Sequence, residues 1–181
     1  MAPFARVSEE EVFRGWLFSV GKVGLVDPDG TPFERFVVHH PGAVTIVPVD
    51  ETRTVTLVRQ YRASIDRMVL ETPAGTCDVP GEAPETTARR ELEEEVGVRA
   101  GTVRFLGTML NSPGFCDQVT LLYLAQELEP VPPSRHGEEE RYIEVVEIPL
   151  ADIDTMIATG ELIDAQTLLG LFLARAALGA T

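Results

Sequence analysis

The chain has little positive charge, almost no cysteine and no long apolar run. Lysine and arginine together number 15 against 29 aspartates and glutamates, for a formal net charge of −14. Sequence-independent nucleic-acid binding needs basic surface, so the balance argues against it. It does not argue against a nucleotide substrate, because a bound cation supplies positive charge locally. The two cysteines, Cys77 and Cys116, are too few and too far apart for a disulfide framework. A reduced, cytoplasmic setting is the simplest expectation. No apolar segment approaches the roughly 20 residues of a membrane-spanning helix, and the first residues show no signal-peptide pattern. Internal repeats and low-complexity tracts are also missing. What is present is ordinary for a globular protein, with 44% hydrophobic and 24% charged residues. The 181 residues are enough for one domain with a full core.

Strands dominate the first half. Residues 12–20 and 24–26 read as a hairpin, with Trp16 and Phe18 on one strand. Asp27-Pro28-Asp29-Gly30 is a strong turn signal, and a further strand carrying Phe33 and Phe36 follows over 33–39. Strands are expected at 43–49, 54–61, 68–72, 103–110, 119–124 and 142–148. A Pro-rich polar loop covers 128–138. A helix is expected from about Pro84 to Val96, opened by proline and stopped by Gly97. Two more helices close the chain, one starting near Leu150 and one over about 164–178. Mixed strands with few helices suggest an α+β fold.

One stretch carries chemistry. Gly75 and Glu82 precede Arg90-Glu91-Leu92-Glu93-Glu94-Glu95-Val96-Gly97-Val98. On a helix, residues three and four apart share a face. Glu91, Glu94 and Glu95 then project to one side, and Ala88, Leu92 and Val96 to another. Like charges so spaced repel by roughly 0.2–0.5 kcal/mol per pair. A Glu-rich face is often only solvated surface. Beside a Gly-rich loop it calls instead for a neutralising partner, and a hard divalent cation fits. Mg²⁺ prefers oxygen ligands and bridges carboxylates to substrate phosphates.

These residues resemble the box of the Nudix hydrolases, G-x5-E-x7-R-E-U-x-E-E-x-G-U with U aliphatic. From Glu82 to Val98 the match has no gap, but six residues rather than five separate Gly75 from Glu82. Arg59-Gln60-Tyr61-Arg62, Glu71-Thr72-Pro73-Ala74-Gly75, Asn111-Ser112-Pro113-Gly114-Phe115 and the segment 143–150 resemble the ADP-ribose pyrophosphatase branch. The resemblance implies an α/β/α sandwich around a mixed β-sheet over residues 41–181. It also implies an antiparallel sheet over residues 1–40 that dimerises the enzyme.

The resemblance also implies roles. Glu91 and Glu95 are the main metal ligands, Glu94 is a direct or water-mediated one, and Ala74 supplies a carbonyl. The ion is Mg²⁺, with Mn²⁺ as the alternative. Arg90 orients carboxylates or is merely a salt bridge. Glu82 either supports the site or is a charge at a helix N-terminus. Arg62, with Arg59 nearby, contacts the diphosphate, or each closes a strand-end salt bridge. Glu71 contacts the nucleoside. Phe115 lines the pocket or packs in the core, and Trp16 stacks on a base or is a core tryptophan. The family usually reads Asp-Glu after the Pro-Gly-Phe loop, whereas Asp117 is followed here by Gln118, and an amide cannot act as a base. The general base then falls to Glu140, with Glu139 next, unless that acidic loop is only solvated. The expected activity is hydrolysis of a nucleoside diphosphate linked to a small group, with ADP-ribose first. A UDP- or GDP-sugar is the alternative substrate, and a ligand sensor that does not cleave is the alternative class.

Overall fold

The computed structural model describes residues 3–135, 138 and 140–179. They form two compact units. One consists of the residues up to Gly42 together with Leu110–Thr120. The other consists of Ala43–Met109 and the residues from Leu121 onward.

The first unit is built on three antiparallel strands in the order β1 (Ala5–Arg14), β2 (Ser19–Val26) and β3 (Pro32–His39). The hairpin expected over 12–26 is displaced. β1 starts earlier and runs through the acidic stretch Glu9-Glu10-Glu11, and it turns at Gly15, whose N–H donates to the Phe18 carbonyl at 2.8 Å. Trp16 therefore sits in a turn and not on a strand, as does Phe18. Acidic residues are depleted in strands overall, but an edge strand open to water keeps them. The turn between β2 and β3 forms where expected. The Asp27 carboxylate accepts the N–H groups of Asp29 and Thr31 at 2.9 and 2.8 Å.

The second unit holds two sheets and three α-helices. One sheet has the order β10 (Glu144–Pro149), β5 (Thr54–Arg62), β6 (Arg67–Glu71). The other has the order β7 (Ala74–Thr76), β4 (Ala43–Pro48), β9 (Val119–Pro130), β8 (Val98–Leu110). Strand β7 and the early part of β8 are not signalled by side-chain alternation. β7 is three half-buried residues held by main-chain pairing to β4. Every residue of β4 is buried, as in a strand covered on both faces. Its side chains alternate between two clusters. Val44 and Ile46 meet Ala88 of α1 (Pro84–Glu91), with Leu92 and Val96 just beyond it. Val47 meets Leu171 and Ala174 of α3 (Ala165–Ala177), with Ile153 of α2 (Ile153–Ala158) in the same cluster. Helices on both faces of the strands make the α/β/α sandwich. Fully burying a side chain such as Leu92 or Leu171 contributes about 1.5–3 kcal/mol.

Candidate active site

The site is a strand, a turn and a helix in close succession. After β7 the chain turns at Val79-Pro80-Gly81-Glu82, where the Glu82 N–H donates to the Val79 carbonyl at 3.1 Å. Proline second and glycine third is ordinary turn chemistry. The extra residue between Gly75 and Glu82 falls in this loop, ahead of the helix. Pro84 opens α1 at a position where its missing N–H costs nothing. The expected single helix then changes character. Leu92–Val96 is a π-helical turn, ended by Gly97 at φ 76°. Such turns widen the spiral and are frequent at functional sites. Within this turn Glu95 is buried, as are Leu92 and Val96, whereas Glu94 is half-buried.

Two carboxylates converge on β7. A Cβ placed on Gly75 would lie 2.0 Å from Glu91 Cδ, so only glycine leaves room for that carboxylate. Glu95 Oε2 accepts the Ala74 N–H at 3.2 Å. In the β4–β7 ladder the Ile46 N–H donates to the Pro73 carbonyl, so Thr45–Ala74 is the next, non-hydrogen-bonded pair. The N–H and C=O of Ala74 then both point away from β4, toward the side that carries the Glu95 carboxylate.

Arg90 ties the other acids together. Its guanidinium donates to Glu82 at 3.2 and 3.4 Å, to Glu91 at 2.7 Å and to Glu94 at 3.2 Å. Glu82 also accepts the Thr87 hydroxyl at 2.8 Å, and its carboxyl is held below the usual range by Arg90 first and by Thr87 second. The two inner acids shift the other way. Burial lifts the Glu91 carboxyl to about 7; Arg90 opposes this, while the Glu94 and Glu140 charges add to it. Burial lifts Glu95 to about 8, opposed by the Ala74 N–H and by Arg62 and reinforced by Glu91 and Glu140. Glu140, in a short turn with Arg141 and Tyr142, is thus within electrostatic reach of both inner carboxylates. Glu139 lies outside the described residues.

Arg62 and Glu71 are brought together as well. Arg62 donates through Nε to both oxygens of the buried Glu71 carboxylate at 2.9 and 3.1 Å, and Gln60 donates to it at 3.2 Å. The Glu71 bond and charge, with the Glu95 charge adding, raise the Arg62 guanidinium against the pull of burial. Arg59 lies between Glu144 at 3.8 Å and Glu161 at 3.6 Å. Trp16 and Phe115 belong to the first unit. Trp16 is 93% exposed and Phe115 58%, so neither is a core residue of the protomer.

Arg135, His39 and the threonines Thr45, Thr72 and Thr167 escape sequence reasoning, whereas Asp117 and Gln118 stand out as a departure from the family pattern. Arg135 donates to the main-chain carbonyls of Glu95 and Ile143, both at 2.9 Å. Asp117 accepts from His39 Nδ1 at 2.6 Å and from the His40 N–H at 3.0 Å, with Glu9 on the other His39 nitrogen at 2.7 Å. Gln118 reaches the Thr120 hydroxyl at 3.4 Å. A buried hydroxyl chain links Thr45, Thr72 and Thr167 next to Ala74.

The family model that describes the NUDIX domain matches residues 39–168. The chain belongs to the Nudix family. Among relatives, it is 34% identical to the ADP-ribose pyrophosphatase of Bacillus subtilis (strain 168), covering 89% of this chain and 86% of the relative. It is 35% identical to the ADP-ribose pyrophosphatase of Mycobacterium tuberculosis, covering 93% and 81%. The crystal structure of an ADP compounds hydrolase superposes with a TM-score of 0.85 at 28% identity, over 99% of this chain and 96% of that one.

Nudix enzymes use divalent metal, and the residues here fit one. A half-buried and a buried carboxylate, Glu91 and Glu95, both lie against β7, and Arg90 donates to Glu91. Among the described residues no group of three acidic, imidazole or thiol side chains forms a ready cage. Mg²⁺ does not need one, since it is commonly held by one or two carboxylates plus substrate phosphates. Glu91, Glu95 and the Ala74 carbonyl are the groups that could hold a divalent ion here.

Proposed function

We propose that this Nudix pyrophosphohydrolase cleaves the pyrophosphate bond of a nucleoside diphosphate linked to another group, with ADP-ribose giving AMP and ribose 5-phosphate. The observation that carries the reading is the pair of box carboxylates, half-buried Glu91 and buried Glu95, set against Ala74-Gly75. The names of the two bacterial relatives support ADP-ribose as the first substrate.

A diphosphate is densely anionic and resists attack by water. Bound Mg²⁺ or Mn²⁺ neutralises charge on the phosphoryl oxygens. The chain's own groups do the positioning, which is the main demand of this chemistry. Arg90 holds Glu82, Glu91 and Glu94 in place. Arg62, held by a Glu71 carboxylate that Gln60 also donates to, offers its remaining N–H donors to the diphosphate; Arg is the natural bidentate reader of such groups. Arg59 is a second cation for the same substrate. Glu140 acts as general base, supported by its electrostatic reach to both inner acids and by the amide at position 118.

The unit carrying β1 to β3 serves dimerisation in this reading. Every residue of β1 is exposed, including the apolar Val7, Val12 and Phe13. A long open edge with apolar side chains is what a second copy covers. Trp16 and Phe115, both exposed, then contact the substrate, and residues 1–40 and 41–181 are the functional divisions. A cytoplasmic setting belongs to the same reading, supported by two free thiols. No helix among the described residues is long and apolar enough to cross a membrane.

The test is a substrate panel with Mg²⁺ and chromatographic identification of products. AMP from ADP-ribose is the expected result. UMP or GMP from the corresponding sugars, with ADP-ribose intact, reassigns the substrate. Thermal stabilisation by ADP-ribose with no product makes the protein a sensor.

A further inference from the structure

The π-helical turn leaves main-chain carbonyls that its own ladder does not use, as at any helix end. One strap of chain satisfies them. Val131 N–H donates to the Gly97 carbonyl at 2.8 Å and Ser134 N–H to the Glu94 carbonyl at 3.2 Å. The Arg135 Nε–H donates to the Glu95 carbonyl at 2.9 Å. The strap lies so close that a Cβ on Gly97 would stand 2.8 Å from the Val131 carbonyl oxygen. Arg135 then reaches further. Its second donor meets the Ile143 carbonyl at 2.9 Å. Ile143 is buried in the α1 cluster, and its own N–H donates to the Glu140 carbonyl at 3.1 Å. One planar guanidinium therefore connects the peptide of Glu95 to the residue that closes the Glu140 turn. A rigid fork with several fixed donors suits this task, and a single ammonium does not reproduce it.

We propose that Arg135 is a positioning residue that sets the Glu140 carboxylate against the Glu91–Glu95 pair. The proposal rests on the reading of Glu95 as a metal ligand and Glu140 as general base. Arg135 acts through the two backbone carbonyls it holds.

The test is a double-mutant cycle on full-length protein, with kcat and KM for ADP-ribose measured separately at saturating Mg²⁺. Arg135→Gln lowers kcat by roughly 10- to 100-fold, the scale of a small misplacement of a reacting group, with KM within about twofold. Arg135→Lys, which keeps the charge and loses the fork, gives a smaller loss and serves if the glutamine variant fails to fold. In a Glu140→Gln background the Arg135 substitutions cost little more, because the group they position is already gone. Calorimetric titration of metal-free protein with Mn²⁺ gives a second readout, with a few-fold weaker binding to Arg135→Gln. Equal kcat losses in both backgrounds mean a general structural role and overturn the proposal. Wild-type kcat in both Arg135 variants, with Glu140→Gln impaired, overturns the coupling but leaves Glu140 as base. Full activity in Glu140→Gln overturns the reading of the base and the proposal with it.

Discussion

Glu9-Glu10-Glu11 on β1 and Glu93-Glu94-Glu95 on the box helix have the same composition and opposite fates. The first run is exposed throughout. Its members find partners in water, Glu9 with Arg6 and His39, Glu11 with Arg14. Exposed pairs of this kind contribute about 0–1 kcal/mol. The second run passes from water to core within three residues. Glu93 pairs with Arg99 at the surface, Glu94 with Arg90 at the edge, and Glu95 is 6% exposed. Burial, not acidity, separates a solvated strand from a reactive site. The strongest test of this contrast is a matched pair of variants. Glu95→Gln should lower kcat for ADP-ribose by roughly 100- to 1,000-fold, the scale seen when one preorganised electrostatic group is removed. Glu11→Gln should stay within about twofold. Equal effects in steady-state assays would erase the distinction.

Proton uptake gives the next largest effect. A glutamate in unfolded chain titrates at about 4.3, whereas Glu91 and Glu95 in the folded chain are lifted to about 7 and about 8. Between these values the folded state holds protons that the unfolded state has released. Stability of the metal-free protein therefore falls as pH rises from about 4.5 to 8. The loss is on the order of a few kcal/mol, and the two carboxyls do not add independently because they sense each other. His39, raised by Asp117 and Glu9, adds a smaller loss of the same sign near neutrality. Melting curves of chelator-treated protein from pH 5 to 8.5 should show the decline. Glu95→Gln should flatten it, Glu11→Gln should not, and saturating Mg²⁺ should reverse it by binding the ionised pair.

The contrast also explains what the sequence reveals. The box is legible because its residues are local: Glu82, Arg90, Glu91 and Glu95 reach one another through helix and turn geometry. The clamp on Arg62 is half legible, since β5 and β6 form a hairpin but nothing in the sequence pairs Arg62 with Glu71. Arg135 is silent in the sequence because its partners are carbonyls, and main-chain oxygens have no letter. The π-helical turn is silent for the same reason. β1 was misplaced because an open edge tolerates glutamates that alternation rules count against a strand. Gly75 carries both kinds of information, a letter in the box and a contact visible only in three dimensions. Gly75→Ala should cost roughly 10- to 100-fold in kcat by displacing Glu91, with a melting temperature close to wild type. The same activity as wild type would mean that the Glu91 carboxylate does not need its place against β7.

A third acid sharpens the comparison from the other side. Asp164 caps α3: its carboxylate accepts the Thr167 N–H and hydroxyl, each at 2.8 Å. The same Thr167 hydroxyl accepts the Thr72 N–H at 2.9 Å, two residues before Ala74. Asp164 therefore stabilises the fold by satisfying donors at a helix end, whereas Glu95 burdens the metal-free fold by being buried with few. Asp164→Ala should remove about 1 kcal/mol, lowering the melting temperature by roughly 2–4 °C in a chain of this size. Glu95→Gln should raise it at pH 8 without metal. The two carboxylates then move stability in opposite directions and activity by unequal amounts, because Asp164 reaches the site through two threonines and through its charge on Arg62, while Glu95 is part of it. A gain in stability from Asp164→Ala would show that the cap is not the use of that acid.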